Sequence, residues 1–237
     1  MLEIQNLGMD YGKFKLSVNQ LAFGRGLHVI LGANGSGKSS LLKGIIGYGG
    51  EKLSSREVYW NDFKAAETAS FISYLPQMNP VFKIRVSDYI GLTSRKSDSS
   101  RKGELLRYFD IEHLMHQSVE SLSGGELKRV QCAQVAMEQK EIMMFDEVEQ
   151  GLDLKYQHHI LNWMKEAGNN RTVIASMHDA ALAMTYADSV TLLKDGGVIA
   201  GSESPRNITS EMLSECYDIP LDVGRVNNRI IIFTRAL

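Results

Sequence analysis

Residues 32–39 read Gly-Ala-Asn-Gly-Ser-Gly-Lys-Ser, the spacing G-x-x-x-x-G-K-[ST]. An apolar run, LHVIL at 27–31, comes just before them. Leu41, Leu42, Ile45 and Ile46 follow at helical spacing. A strand, a glycine-rich turn and a helix in that order are the context of a P-loop, a backbone cradle for a phosphate chain. Without Cβ atoms, main-chain N–H groups can wrap the anion, and the helix N-terminus adds a favourable dipole. Lys38 can then reach the β- and γ-phosphates, and the Ser39 hydroxyl can reach Mg²⁺.

A P-loop needs a carboxylate for its metal. The run IMMFDE at 142–147 supplies one. Four apolar residues form a buried strand, and Asp146 emerges at its C-terminal end, where ligands bind in open α/β sheets. Asp146 is placed to hold Mg²⁺ through water. Glu147 is the better candidate for polarising an attacking water, because a general base must sit beyond the γ-phosphate.

The stretch LSGGELKRV at 122–130 raises a separate question, since glycine is a poor helix former and two stand at a helix start. Ser123 and Glu126 fit a capping box, with Leu122 and Leu127 at the staple positions. Leu127, Val130, Ala133 and Met137 follow on one helical face. Capping explains the serine and the glutamate but not Gly124 and Gly125. A helix start with bare N–H groups favours an anion, so this stretch reads as a second phosphate-binding element.

The 237 residues allow one sizeable domain with a subdomain, and 43% hydrophobic content supports a packed core. A formal net charge of -2 gives no basic field for nucleic acid. Cys132 and Cys216 lie far apart with no C-x-x-C, which indicates neither a zinc site nor a disulfide framework. The start, MLEIQNL, lacks the basic region and long apolar run of a signal peptide, and IIIF at 230–233 is too short to span a bilayer.

Strands are expected at 2–7, 15–18, 27–31, 68–75, 142–145, 172–176 and 190–193, and a mainly helical segment from 78 to 140. Strands alternating with helices point to a parallel central sheet. The expected fold is α/β: a P-loop NTPase core with a mainly parallel central sheet, an N-terminal antiparallel β region and an inserted helical subdomain. One domain covers 1–237, with 1–77 and 141–237 as nucleotide-binding core and 78–140 as helical subdomain. The polar, basic stretch TSRKSDSSRKG at 93–103 reads as solvated.

Taken together, the P-loop at 32–40, LPQ at 75–77, LSGGE at 122–126, the strand with Asp146-Glu147, GLD at 151–153 and SMHD at 176–179 resemble an ATP-binding cassette (ABC) ATPase. The motifs follow the family's order over nearly the whole chain. The resemblance implies ATP and Mg²⁺, and a homodimer in which two cassettes face head to tail. Ser123, Gly124 and Gly125 would then meet the γ-phosphate of the partner's ATP. Gly32, Asn34, Gly35, Ser36, Gly37, Lys38, Ser39 and Ser40 would cradle the chain's own. Gln77 resembles the glutamine that contacts Mg²⁺ and the water, and His178 the switch histidine that steadies Glu147. Asp153 resembles the aspartate acting across the dimer interface, and Tyr11 the aromatic that stacks on adenine. The family often has Pro after the two acids. Here Val148 and Glu149 follow, which adds a negative charge nearby.

The stretch from 176 to 223 resembles the C-terminal third of the ATPases serving iron-siderophore, haem and cobalamin importers. That resemblance implies a bacterial importer motor on the cytoplasmic face of the cell membrane. It would be joined to integral-membrane permease subunits and, through them, to an extracytoplasmic substrate-binding protein. Two alternatives stay open: the same motor on an exporter, and a soluble ABC ATPase remodelling a macromolecular assembly. A module that holds ATP without turnover is disfavoured by the presence of Ser123, Glu147 and His178.

Overall fold

The computed structural model describes residues 1–93, 99–226 and 229–234. The N-terminal half builds one sheet and begins a second. β1 (Leu2–Asp10) pairs antiparallel with β2 (Lys15–Phe23), and β3 (Gly26–Leu31) leaves for the central sheet. α1 (Lys38–Ile46) follows the glycine-rich turn. β4 (Leu53–Trp60) pairs with the other edge of β1, and β5 (Phe63–Lys64) with β4, giving the order β2-β1-β4-β5. β4 escaped the sequence reading because LSSREVYW buries only Val58 fully and shows no clean alternation. The strand expected at 68–75 is shorter: Thr68–Ser70 form a 3-10 turn and β6 spans Ile72–Leu75. The Thr68 hydroxyl donates to Ile46 O at 2.7 Å, which ties this turn to the end of α1.

The segment after β6 is helical: α2 (Val86–Gly91), α3 (Ser99–Tyr108) and α4 (Gly124–Met137). Part of the basic stretch, 94–98, lies outside the described residues. Arg101 and Lys102, expected to be solvated, are half-buried and donate to Ala136 O at 3.4 Å and Ser87 O at 3.3 Å. Long basic side chains can cover apolar surface while their heads find backbone carbonyls.

Alternating elements complete the core: β7 (Ile142–Asp146), α5 (Leu154–Gly168), β8 (Thr172–Ser176), α6 (Ala180–Tyr186), β9 (Ser189–Lys194) and β10 (Gly197–Glu203). After them come α7 (Ser210–Tyr217) and a hairpin of β11 (Leu221–Val226) with β12 (Arg229–Thr234). The central sheet has the order β10-β9-β3-β8-β7-β6, parallel except for the β9–β10 edge.

Side chains of the central strands alternate between two cores, as a pleated strand requires. Leu27, Val29 and Leu31 face one side with Met143 and Phe145, packed by α5, α6, α7 and the helical segment. Ile30, Ile142, Met144 and Ile174 face the other, packed by α1 and the antiparallel sheet. Leu41, Leu42 and Ile45 of α1 are fully buried there, worth roughly 1.5–3 kcal/mol each. No described helix is long and apolar enough to cross a membrane.

Candidate active site

The parallel register brings distant residues to one edge. β8 lies between β3 and β7, and Ser176 pairs with Asp146 on one side and Ile30 on the other. The loop after β3, Gln77 beyond β6, Asp146 at the end of β7 and His178 beyond β8 therefore leave from the same C-terminal edge.

The loop after β3 is turned by glycines in the left-handed region, Gly35 at φ 81° and Gly37 at φ 107°. Gly37 is the N-cap of α1, so no side chain satisfies that helix start and its N–H groups stay available. Gly32 lies under the loop, where an added Cβ would come within 2.2 Å of Leu193 O and 2.5 Å of Ser36 Oγ. Lys38 is buried and its ammonium donates to Gly32 O at 2.8 Å and Ala33 O at 3.2 Å. Burial pushes the Lys38 pKa down, against the Glu147 and Asp146 carboxylates that favour its charge.

A cavity of about 430 Å³ opens at this loop, lined by Tyr11, Phe14, Asn34, Gly35, Gly37, Lys38, Ser39, Ser40 and Glu147. Tyr11 has Lys52 Nζ 4.8 Å from its ring centroid. An aromatic wall beside an N–H cradle with a buried cation suits a nucleotide. The Ser36 hydroxyl is buried with no hydrogen-bond partner, consistent with a loop that lacks part of its polar company.

Asp146 is held by three hydroxyls. Ser39 Oγ donates to Oδ1 at 3.0 Å, Ser176 Oγ to the same atom at 2.6 Å, and Tyr74 to Oδ2 at 3.4 Å. An oxygen-only pair of Ser39 and Asp146 suits a hard cation such as Mg²⁺. Burial and Asp146 push the Tyr74 phenol pKa up, so it stays a donor. The roles of Ser176 and Tyr74 were not foreseen from the sequence. Strand register was the signal, because a residue paired with Asp146 on β8 must end at the same site.

Glu147 adopts φ 52°, a conformation unusual for a side chain of its size. Its N–H is shared between Ser176 O at 3.2 Å and Ser176 Oγ at 3.0 Å. Both carboxylate oxygens are engaged: His178 Nε2 lies 2.7 Å from Oε1, and Gln77 Nε2 donates to Oε2 at 2.5 Å. The carboxylate is buried, whereas the imidazole is 34% exposed.

Other sequence-predicted residues stand apart from this cluster. Ser123 caps α4 through the capping box: its hydroxyl accepts from Glu126 N at 3.4 Å, and Glu126 Oε2 accepts from Ser123 N at 2.9 Å. Val130, Ala133 and Met137 are buried behind it and Leu127 half-buried. An added Cβ on Gly124 would meet nothing within 4 Å, so this helix start is open to a ligand. Neither Ser123, Gly124, Gly125 nor Asp153 lines the loop cavity. Asp153 is exposed and caps α5 by accepting from Tyr156 N at 3.0 Å.

Comparison with known proteins agrees with this geometry. A family described as ABC transporter matches residues 20–150. The hemin import ATP-binding protein HmuV of Aliivibrio fischeri is 33% identical over 79% of this chain and 78% of its own. A Helicobacter pylori chain named for iron chelatin transport is 28% identical over 98% of this chain and 99% of its own. Among solved structures, one described as a metal-chelate type ABC transporter facing inward superposes with TM-score 0.81 at 22% identity, covering 100% of this chain and 97% of that one. CbiO1 of Clostridium perfringens gives 0.73 at 26% identity over 90% of each chain. The family match spans more than half of a chain whose P-loop and Glu147 line one cavity, with His178 on the Glu147 carboxylate, and so the chain belongs to the ABC transporter family as one of its ATP-binding ATPases.

Proposed function

We propose that the chain is the ATP-hydrolysing subunit of a bacterial importer for an iron-siderophore, haem or cobalamin cargo. The carrying observation is the Glu147 carboxylate, held by Gln77 and His178 at the edge of the cavity that Lys38 and Ser39 line. The names of the relatives, hemin import and iron chelatin transport, support the cargo class.

The residues divide the work as follows. Main-chain N–H groups of 35–39 and the Lys38 ammonium bind the phosphates, Tyr11 packs on the base, and Ser39 and Asp146 hold Mg²⁺ with Gln77. The metal, when bound, neutralises charge developing on the β- and γ-phosphate oxygens. Glu147 orients the attacking water and accepts its proton, and His178 steadies Glu147 and reaches the γ-phosphate. Each Glu147 oxygen takes one partner in this state, which leaves the carboxylate acceptor capacity for a water.

Two copies face head to tail, and Ser123, Gly124 and Gly125 of each complete the phosphate site of the other, with Asp153 acting across the interface. The exposed, unobstructed start of α4 supports this, since it meets no phosphate loop within its own chain. Closure moves the helical part, 78–140, relative to the core, 1–77 and 141–237, and drives two permease subunits. The protein then sits peripherally on the inner face of the cell membrane, served by an extracytoplasmic binding protein through the permease.

Tagged Glu147→Gln protein, purified from its native membranes in mild detergent with ATP, tests this. Co-purification of a multi-span importer permease is expected. Recovery with an exporter, or with soluble assembly factors alone, overturns the importer reading.

A further inference from the structure

The Glu147 pair accounts for the His178 imidazole but not for its backbone, which a different acid holds. Glu149 is 5% exposed, and its Oε1 accepts the His178 N–H at 2.8 Å. Its Oε2 is buried with no hydrogen-bond partner. The main chain of Glu149 is tied as well: its carbonyl accepts from Leu152 N at 3.3 Å and from Gln157 Nε2 of α5 at 3.2 Å. Gln157 also donates to Leu152 O at 3.1 Å. Glu149 thus joins three pieces: the end of β7 that carries Glu147, the turn that leads to Asp153 and α5, and the loop after β8 that carries His178.

A buried carboxyl with one idle oxygen is an expensive way to anchor a loop, and a residue present only for packing would be apolar. The contact has a geometric consequence. His178 follows β8 by two residues, and its ring can reach Glu147 Oε1 only while its backbone is fixed. Among the described hydrogen bonds, Glu149 Oε1 is the acceptor that fixes the His178 N–H. An amide matches the Glu149 carboxyl in shape and keeps an oxygen that can accept the His178 N–H.

We propose that Glu149 is a positioning residue: its side chain clamps the His178 backbone to the turn before α5, so that the imidazole is held on Glu147 and follows that turn when it moves. This rests on the ATPase reading above.

The test compares Glu149→Gln, which keeps an acceptor, with Glu149→Met, which removes it at similar length. Glu149→Asp, which keeps a carboxyl but is too short to reach, serves if the Met chain does not fold. Two readouts are taken. The first is steady-state ATP hydrolysis. Met and Asp should lower kcat about tenfold with little change in KM, and Gln should turn over at least about fivefold faster than Met. In a His178→Ala background the Glu149 substitutions should add nothing further. The second is the His178 backbone amide in ¹⁵N-histidine-labelled protein, identified by its loss in His178→Ala. It should stay near the wild-type position in Gln and move upfield in Met and Asp.

Equal amide positions in all variants, or equal kcat for Gln and Met, overturn the clamp. So does a Met effect that persists in full without His178. A wild-type chain that releases no phosphate overturns the ATPase reading instead, and the amide shift still decides whether Glu149 holds the loop.

Discussion

His178 Nε2 lies 2.7 Å from Glu147 Oε1, and the two residues leave from different strands, β8 and β7. Glu147 itself is fixed from behind, because Ser176 takes its N–H with both carbonyl and hydroxyl. The acid is preorganised by backbone contacts, and its side chain waits on Gln77 and His178. Such a site can be armed by small movements of the two loops that carry those residues.

The exposed start of α4 separates a site completed by a second copy from one completed within the chain. Ser123→Arg should leave ATP binding by the monomer within about twofold of wild type while stopping hydrolysis, whereas Lys38→Ala should lose binding itself. Equilibrium binding of a fluorescent ATP analogue to dilute protein, alongside phosphate release, checks this. Equal loss of binding in both variants would count against a site shared between copies.

Glycines 32 and 35 should respond differently to the same substitution. An added Cβ at Gly32 would meet backbone and hydroxyl within van der Waals distance, so Gly32→Ala must shift the loop from Leu193, at about 1–3 kcal/mol. Gly35 has open space but φ 81°, so Gly35→Ala carries only the left-handed backbone cost of about 1–2 kcal/mol. Chemical denaturation of both variants, with ATP affinity measured in parallel, should show the larger loss of affinity at Gly32.

Burial raises the Glu149 pKa in the folded chain above its unfolded value. The folded state then binds more protons between the two values, so stability falls as pH rises through that window. Glu149→Gln removes this slope. Its melting temperature should exceed that of wild type at alkaline pH, and the gain should vanish below the ordinary Glu pKa of about 4.3. Thermal melts across that range check the sign, and a gain that grows toward acid would contradict it.

Much of this site was legible because its chemistry is local. GANGSGKS carries its own strand and helix, and Asp146-Glu147 ends an apolar run. The capping box of Ser123 and Glu126 was likewise written in four consecutive residues. What could not be read depends on register. Ser176 and Tyr74 reach Asp146 because three parallel strands end together, and no spacing in the chain encodes that alignment. Glu149 stood out as an extra charge, but its direction, away from the cavity edge and onto the His178 backbone, is a tertiary fact. β4 was missed because a strand with one fully buried side chain leaves little periodicity to detect.

The role proposed for Glu147 is to activate the water for ATP hydrolysis. The most direct measurement is single-turnover phosphate release by wild type and Glu147→Gln, with ATP binding measured on the same preparations. With Glu147 in this role, binding should stay within about threefold and release should slow by about 100-fold or more, with ATP-bound dimers accumulating. A Glu147→Gln chain that releases phosphate at the wild-type rate would contradict it.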